Sequence, residues 1–150
     1  MSNVKPEGIN NGTEPDIELL HTQSVEWISD IAFWRDEAAF LYSLEVKKVL
    51  KELSSEEKNK LEKIETDLIK IAGHELDTLY DAVTKHEHSL SSLLESNNCS
   101  DHSYIDGHKQ VAQQVNFFDL RFKILKKHFF DIVKQAKGNL LEGILGIKGK

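Results

Sequence analysis

Apolar residues recur along this chain at steps of three and four, which is the spacing of helices with one buried face. Placed at 100° per residue, Ile17, Leu20, Trp27, Ile28, Ile31, Ala38, Tyr42, Val46, Val49 and Leu53 share one side, predicting a helix from about Asp16 to Leu53. Thr13 or Asp16 can cap its start. Ser54 and Glu57 then form a capping-box pattern, so a second helix follows at once, to about Glu95. Its inner face is Leu61, Ile64, Leu68, Ile71, Ala72, Leu79, Ala82, Val83, Leu90 and Leu93, with Gly73 on the opposite side marking a kink or a close contact. The Ser96–Asp101 stretch reads as a turn. A third helix runs from about His102 to Lys137 on Tyr104, Val111, Val115, Phe118, Phe122, Leu125, Phe129, Val133 and Ala136, with Gly138 as its stop.

The expected fold is therefore all-α: an up-down-up bundle of three long antiparallel helices. Residues 1–15 read as a flexible tail, 16–137 as the bundle, and 138–150 as a short apolar tail that could form part of a fourth helix.

Composition narrows the function classes without selecting one. The chain has 150 residues, 39% of them apolar and 29% charged, enough for one domain with its own core. A net charge of −6 argues against nucleic acid or an anionic membrane as the main partner. No stretch approaches the ~20 apolar residues of a membrane span, and the polar Met1–Asp16 segment predicts no secretion signal. The single cysteine, Cys99, precludes an internal disulfide, and a cytoplasmic location is the expectation. No nucleophile elbow, phosphate-binding loop, Cys-x-x-Cys or His-Glu-x-x-His motif occurs, so no enzyme class is indicated.

The informative residues are polar ones on apolar faces, because burial is costly for a polar group without a partner. His21, Ser24, Arg35 and Glu45 lie on the first inner face, Glu75 and His86 on the second, and His108 on the third. With antiparallel helices joined by tight turns, a 1.5 Å rise per residue puts His21, His86 and His108 within roughly 3–6 Å of one level. Three inward imidazoles could hold a transition metal, or two of them a haem. The plainer reading is half-buried histidines at a wet end of the bundle. Arg35 and Glu75 also come out level, as a buried ion pair that sets helix register.

A second apolar stripe suggests a partner. Phe33, Trp34, Phe40 and Leu44 lie outside the first inner face, and Phe117, Leu120 and Ile124 repeat the pattern on the third helix. Two neighbouring helices cannot cover a helix that is apolar on every side. The expected function is a non-enzymatic interaction or scaffold module that forms a homodimer or binds a helical partner. The alternative is a bundle binding metal or haem through His21, His86 and His108.

Overall fold

A computed structural model describes residues 16–44, 53–96 and 102–145, and nearly all of them are helical. Helix α1 spans Ile17–Ser43, α2 Ser55–Lys70, α3 Leu76–Ser96 and α4 Ser103–Leu145. A π-helical turn, Ile71–Glu75, joins α2 to α3 without a break, so the described residues make three helical stretches. There is no strand among the described residues, and none of their helices is long and apolar enough to cross a membrane.

The starts of α1 and α2 have local causes. Asp16 accepts a hydrogen bond from the Glu18 amide at 3.1 Å and so occupies one of the unpaired donors of the first turn of α1. At α2 the capping box is complete: the Glu57 amide donates to Ser54 Oγ (3.1 Å), and the Ser54 amide donates to Glu57 Oε1 (3.0 Å).

The ends depart from the periodicity. α1 stops at Ser43, well before Leu53. There Ser43 donates to the Phe40 carbonyl at 2.7 Å, and the Leu44 amide reaches back only three residues, to Leu41. Such side-chain bonds compete with the helical ladder. Residues 45–52, with Glu45, Val46 and Val49, lie outside the described residues, as do the tail 1–15 and Cys99. α4 does not stop at Gly138 but runs on to Leu145. Gly138 is not in the left-handed conformation that a terminal glycine adopts, and Leu140, Leu141 and Glu142 after it are good helix formers.

The buried positions step by three and four. On α1 they are Ile17, Leu20, Ser24, Ile31, Trp34, Ala38 and Leu41, with half-buried Trp27 filling the gap. On α4 they run Tyr104, His108, Val111, Val115, Phe118, Phe122, then half-buried Leu125, Phe129, Ile132 and Ala136. This repeat of 3.5 residues per turn is that of a coiled-coil seam. It moves Trp34 and Leu41 inward and leaves Tyr42 exposed, the reverse of the face drawn at 100° per residue.

The second stretch steps Leu61, Ile64, Leu68, Ile71, then five residues to Leu76, then Leu79, Val83, His86 and Leu90. The five-residue step is the π turn. A wide i→i+5 turn takes up one extra residue, so the seam leaves it facing the same way. Gly73 sits at its centre. In consequence Leu76 is completely buried, while Glu75, expected at the centre of the inner face, is only half-buried.

Contacts divide the chain into two compact units. The first joins residues up to Trp34 with Glu75–Phe117; the second joins Arg35–His74 with the residues from Phe118 onward. In the first, Ile17, Leu20, Leu90 and Tyr104 form a core cluster lined by Leu93, Leu94 and Ile105. In the second, Lys126 Nζ lies 3.1 Å from both carboxylate oxygens of Glu37 and 4.7 Å above the Phe122 ring, and the Arg35 guanidinium donates to the Ala72 carbonyl in the π turn at 3.1 Å.

Three outcomes are expected from this geometry. Gly138→Ala should raise stability by about 0.5–1 kcal/mol, because a helical glycine only adds freedom to the unfolded chain; thermal unfolding reads this, and a destabilised variant would mean a left-handed cap. Deletion of Gly73 should be tolerated, since the five-residue step then becomes four. Deletion of Thr84, in regular α geometry, should greatly lower the unfolding midpoint by rotating the downstream face about 100°.

Candidate functional site

Three helices of the first unit bring polar side chains together in its core. His86 of α3 and His108 of α4 both occupy seam positions and are buried. His86 Nε2 lies 2.9 Å from His108 Nδ1, with the rings tilted at 46°. His108 Nε2 lies 2.8 Å from Gln23 Oε1 on α1. The Trp27 indole stacks on His108, with ring centroids 4.7 Å apart and planes at 26°. Gly107 packs beside this pair, and a β-carbon there would sit 3.6 Å from His86 Nδ1, an ordinary contact, so the arrangement does not depend on a glycine.

The protons can be placed along the chain. Gln23 offers its oxygen, so His108 donates from Nε2 and its Nδ1 is left as an acceptor. His86 then donates from Nε2. Both rings are neutral in this arrangement, and burial favours that state. Burial lowers the pKa of His86 below its usual 6.5. His108 is lowered to about 4, chiefly by burial and then by repulsion from His86.

His21 does not join them. Its Nδ1 lies 3.1 Å from Glu87 Oε2, close enough for an ion pair, but out of line for a hydrogen bond. The structure thus brings together two of the three histidines expected to converge, and the third polar group beside them is Gln23. Among the described residues no three His, Cys, Asp or Glu side chains gather so as to hold a metal ion. Both nitrogens of His108 are already engaged, so this ring has no free lone pair in this arrangement. The signal for Gln23 was available: the height rule that aligned the histidines also puts Gln23 level with His86.

Arg35 and Glu75 fall in different units. Within its own unit, Arg35 is half-buried and held by the Ala72 carbonyl.

The second candidate feature is the outer apolar side. Phe33, Phe40, Phe117 and Leu120 are each at least 60% exposed, and Ile124 is 55% exposed. Each lies two positions after a buried seam residue (Ile31, Ala38, Val115, Phe118 and Phe122), which turns it about 200° away. Leu44, in the turn after α1, is at the edge of exposure, and Trp34 belongs to the core instead.

A groove of about 440 Å³ in the second unit has a floor of Ile64, Leu125 and Ile132. Charges on its rim are held by neighbours on their own helices, Lys60 by Glu56, Lys63 by Asp67 and Asp131 by Lys127. It therefore concentrates charge of neither sign.

Compared with protein-family models, with curated proteins and with solved structures, this chain matches none.

Gln23→Ala should destabilise the protein by about 1–3 kcal/mol, because it leaves the buried Nε2–H of His108 without an acceptor. Urea unfolding at neutral pH measures this. An unchanged midpoint would show that water replaces the amide.

Proposed function

We propose that this chain is a non-enzymatic interaction module: an up-down-up bundle of three antiparallel helices that associates with a second copy, or docks a partner helix, through the outer sides of α1 and α4. The observation that carries the reading is the set of large apolar residues at positions farthest from the seam, Phe33 and Phe40 on α1 and Phe117, Leu120 and Ile124 on α4. Leaving one such side chain in water forfeits about 1.5–3 kcal/mol relative to burial. Several such residues spaced along the outer side of one helix are a common mark of a surface that a partner covers. The spacings of seven on α1 and of three and four on α4 suit a helix laid against them.

The surroundings support a protein partner over other classes. Phe33 and Phe40 are flanked by exposed Ala32 and Ala39, which let another backbone come close. The net charge of −6 is unfavourable for a polyanion. Both nitrogens of the most deeply buried histidine are committed within the chain, so metal or haem binding is not the reading favoured.

Sedimentation velocity over a wide concentration range tests self-association directly. Wild type should show a concentration-dependent increase in mass. Phe40→Glu should shift it toward monomer and leave the helical circular dichroism unchanged, since the side chain lies outside the core. Wild type that stays monomeric at the highest concentrations would overturn self-association.

A further inference from the structure

We propose that the hydrogen-bonded chain of Gln23, His108 and His86 is an acid-sensitive latch, which holds α1, α3 and α4 together in the first unit until both imidazoles are protonated. The inference is independent of the partner reading above and rests on the geometry of the two rings.

The two nitrogens that face each other, His86 Nε2 and His108 Nδ1, are 2.9 Å apart and share one proton between them. A first added proton can enter at His86 Nδ1, which makes no hydrogen bond among the described residues and is not among their atoms sealed from solvent. The pair then carries one charge and keeps every hydrogen bond: His86 still donates, and His108 still accepts. A second proton has only His108 Nδ1 to occupy. It would place two N–H groups nose to nose and two positive rings in contact, with nothing left to accept the shared bond. Because His108 is also the ring that reaches Gln23 and lies under Trp27, its displacement disturbs all three helices.

The groups around the pair do not relieve the charge. On α1 these are Gln23 and Trp27, both neutral, and His21, which is turned to Glu87. On α3, Glu87 beside His86 is engaged by His21. On α4, Tyr104 packs in the Ile17, Leu20 and Leu90 cluster, and the charged neighbours Asp106 and Lys109 are exposed. The causes that act on the two rings are burial and, for His108, the other imidazole, with no carboxylate drawing a proton in.

Both rings hold protons less well in the folded chain than in the unfolded one, so the unfolded chain binds more protons below the usual 6.5. The stability they confer is complete above that pH. It falls as pH drops from 6.5 toward about 4 and levels off below. For His108 the displacement corresponds to a preference of roughly 300-fold for the neutral ring in the folded state.

The test follows the ring resonances of His86 and His108, and the indole N–H resonance of Trp27, in the full chain as pH is lowered from 8. We expect His108 to remain neutral far below 6.5 and to take its proton only together with a change at Trp27. Paired unfolding measurements compare wild type with the double variant His86→Gln, His108→Asn, which retains a donor facing an acceptor but cannot titrate. Between pH 6.5 and 4 the folding equilibrium constant of wild type should fall by roughly two orders of magnitude more than that of the variant. A His108 that titrates near 6.5 with Trp27 unmoved overturns the latch, as does a parallel pH dependence of the two proteins. If the double variant fails to fold, the wild-type resonances decide alone.

Discussion

Each described helical stretch has to keep one narrow apolar seam turned inward over several turns, and the packing of those residues is arranged around that requirement. An α-helix of 3.6 residues per turn drifts by about 20° per heptad against a seam of 3.5. α1 and α4 hold the alternation of three and four throughout their described core positions. The middle stretch carries one residue too many between Ile71 and Leu76, and would present its second half sideways if it continued as regular helix. The π turn removes the error locally. Its wide turn alters the ladder of carbonyls, and Arg35 from α1 donates to one of them, Ala72. A residue expected to serve as half of an ion pair thus also serves the backbone.

Polar groups within the seam are handled in two ways. Ser24, completely buried, turns its hydroxyl back to the Leu20 carbonyl at 3.0 Å and is satisfied inside its own helix. The two histidines are satisfied from other helices instead. They reach across to each other and to Gln23. A polar chain through an apolar seam contributes less to stability than to the choice of alignment, since any slip of one helix leaves several buried groups without partners.

Helix class, the three-stretch order and the capping box at Ser54 were legible in the sequence because each rests on near neighbours along the chain. So was the proximity of His86 to His108, from helix rise alone. The face of α1 was drawn slightly rotated because 100° per residue is the angle of a free helix, and packing selects the smaller repeat; hence Trp34 and Tyr42 exchanged sides. Leu76 takes the inner position expected of Glu75 because a π turn has no strong local signature beyond Gly73. Glycine is common at helix ends and Gly138 suggests a stop, yet the helix formers Leu140, Leu141 and Glu142 carry the helix through it.

The setting of Lys126 has a chemical consequence. Its ammonium is pinned between the two oxygens of Glu37 and the face of Phe122, and its stem is mostly covered. Lys123 and Lys127 beside it hold single carboxylates at the surface and are largely bare. An acylating reagent needs a free amine that it can approach along the lone pair. Three neighbouring lysines of α4 therefore differ as nucleophiles, and the slowest of them marks where α4 lies against α1.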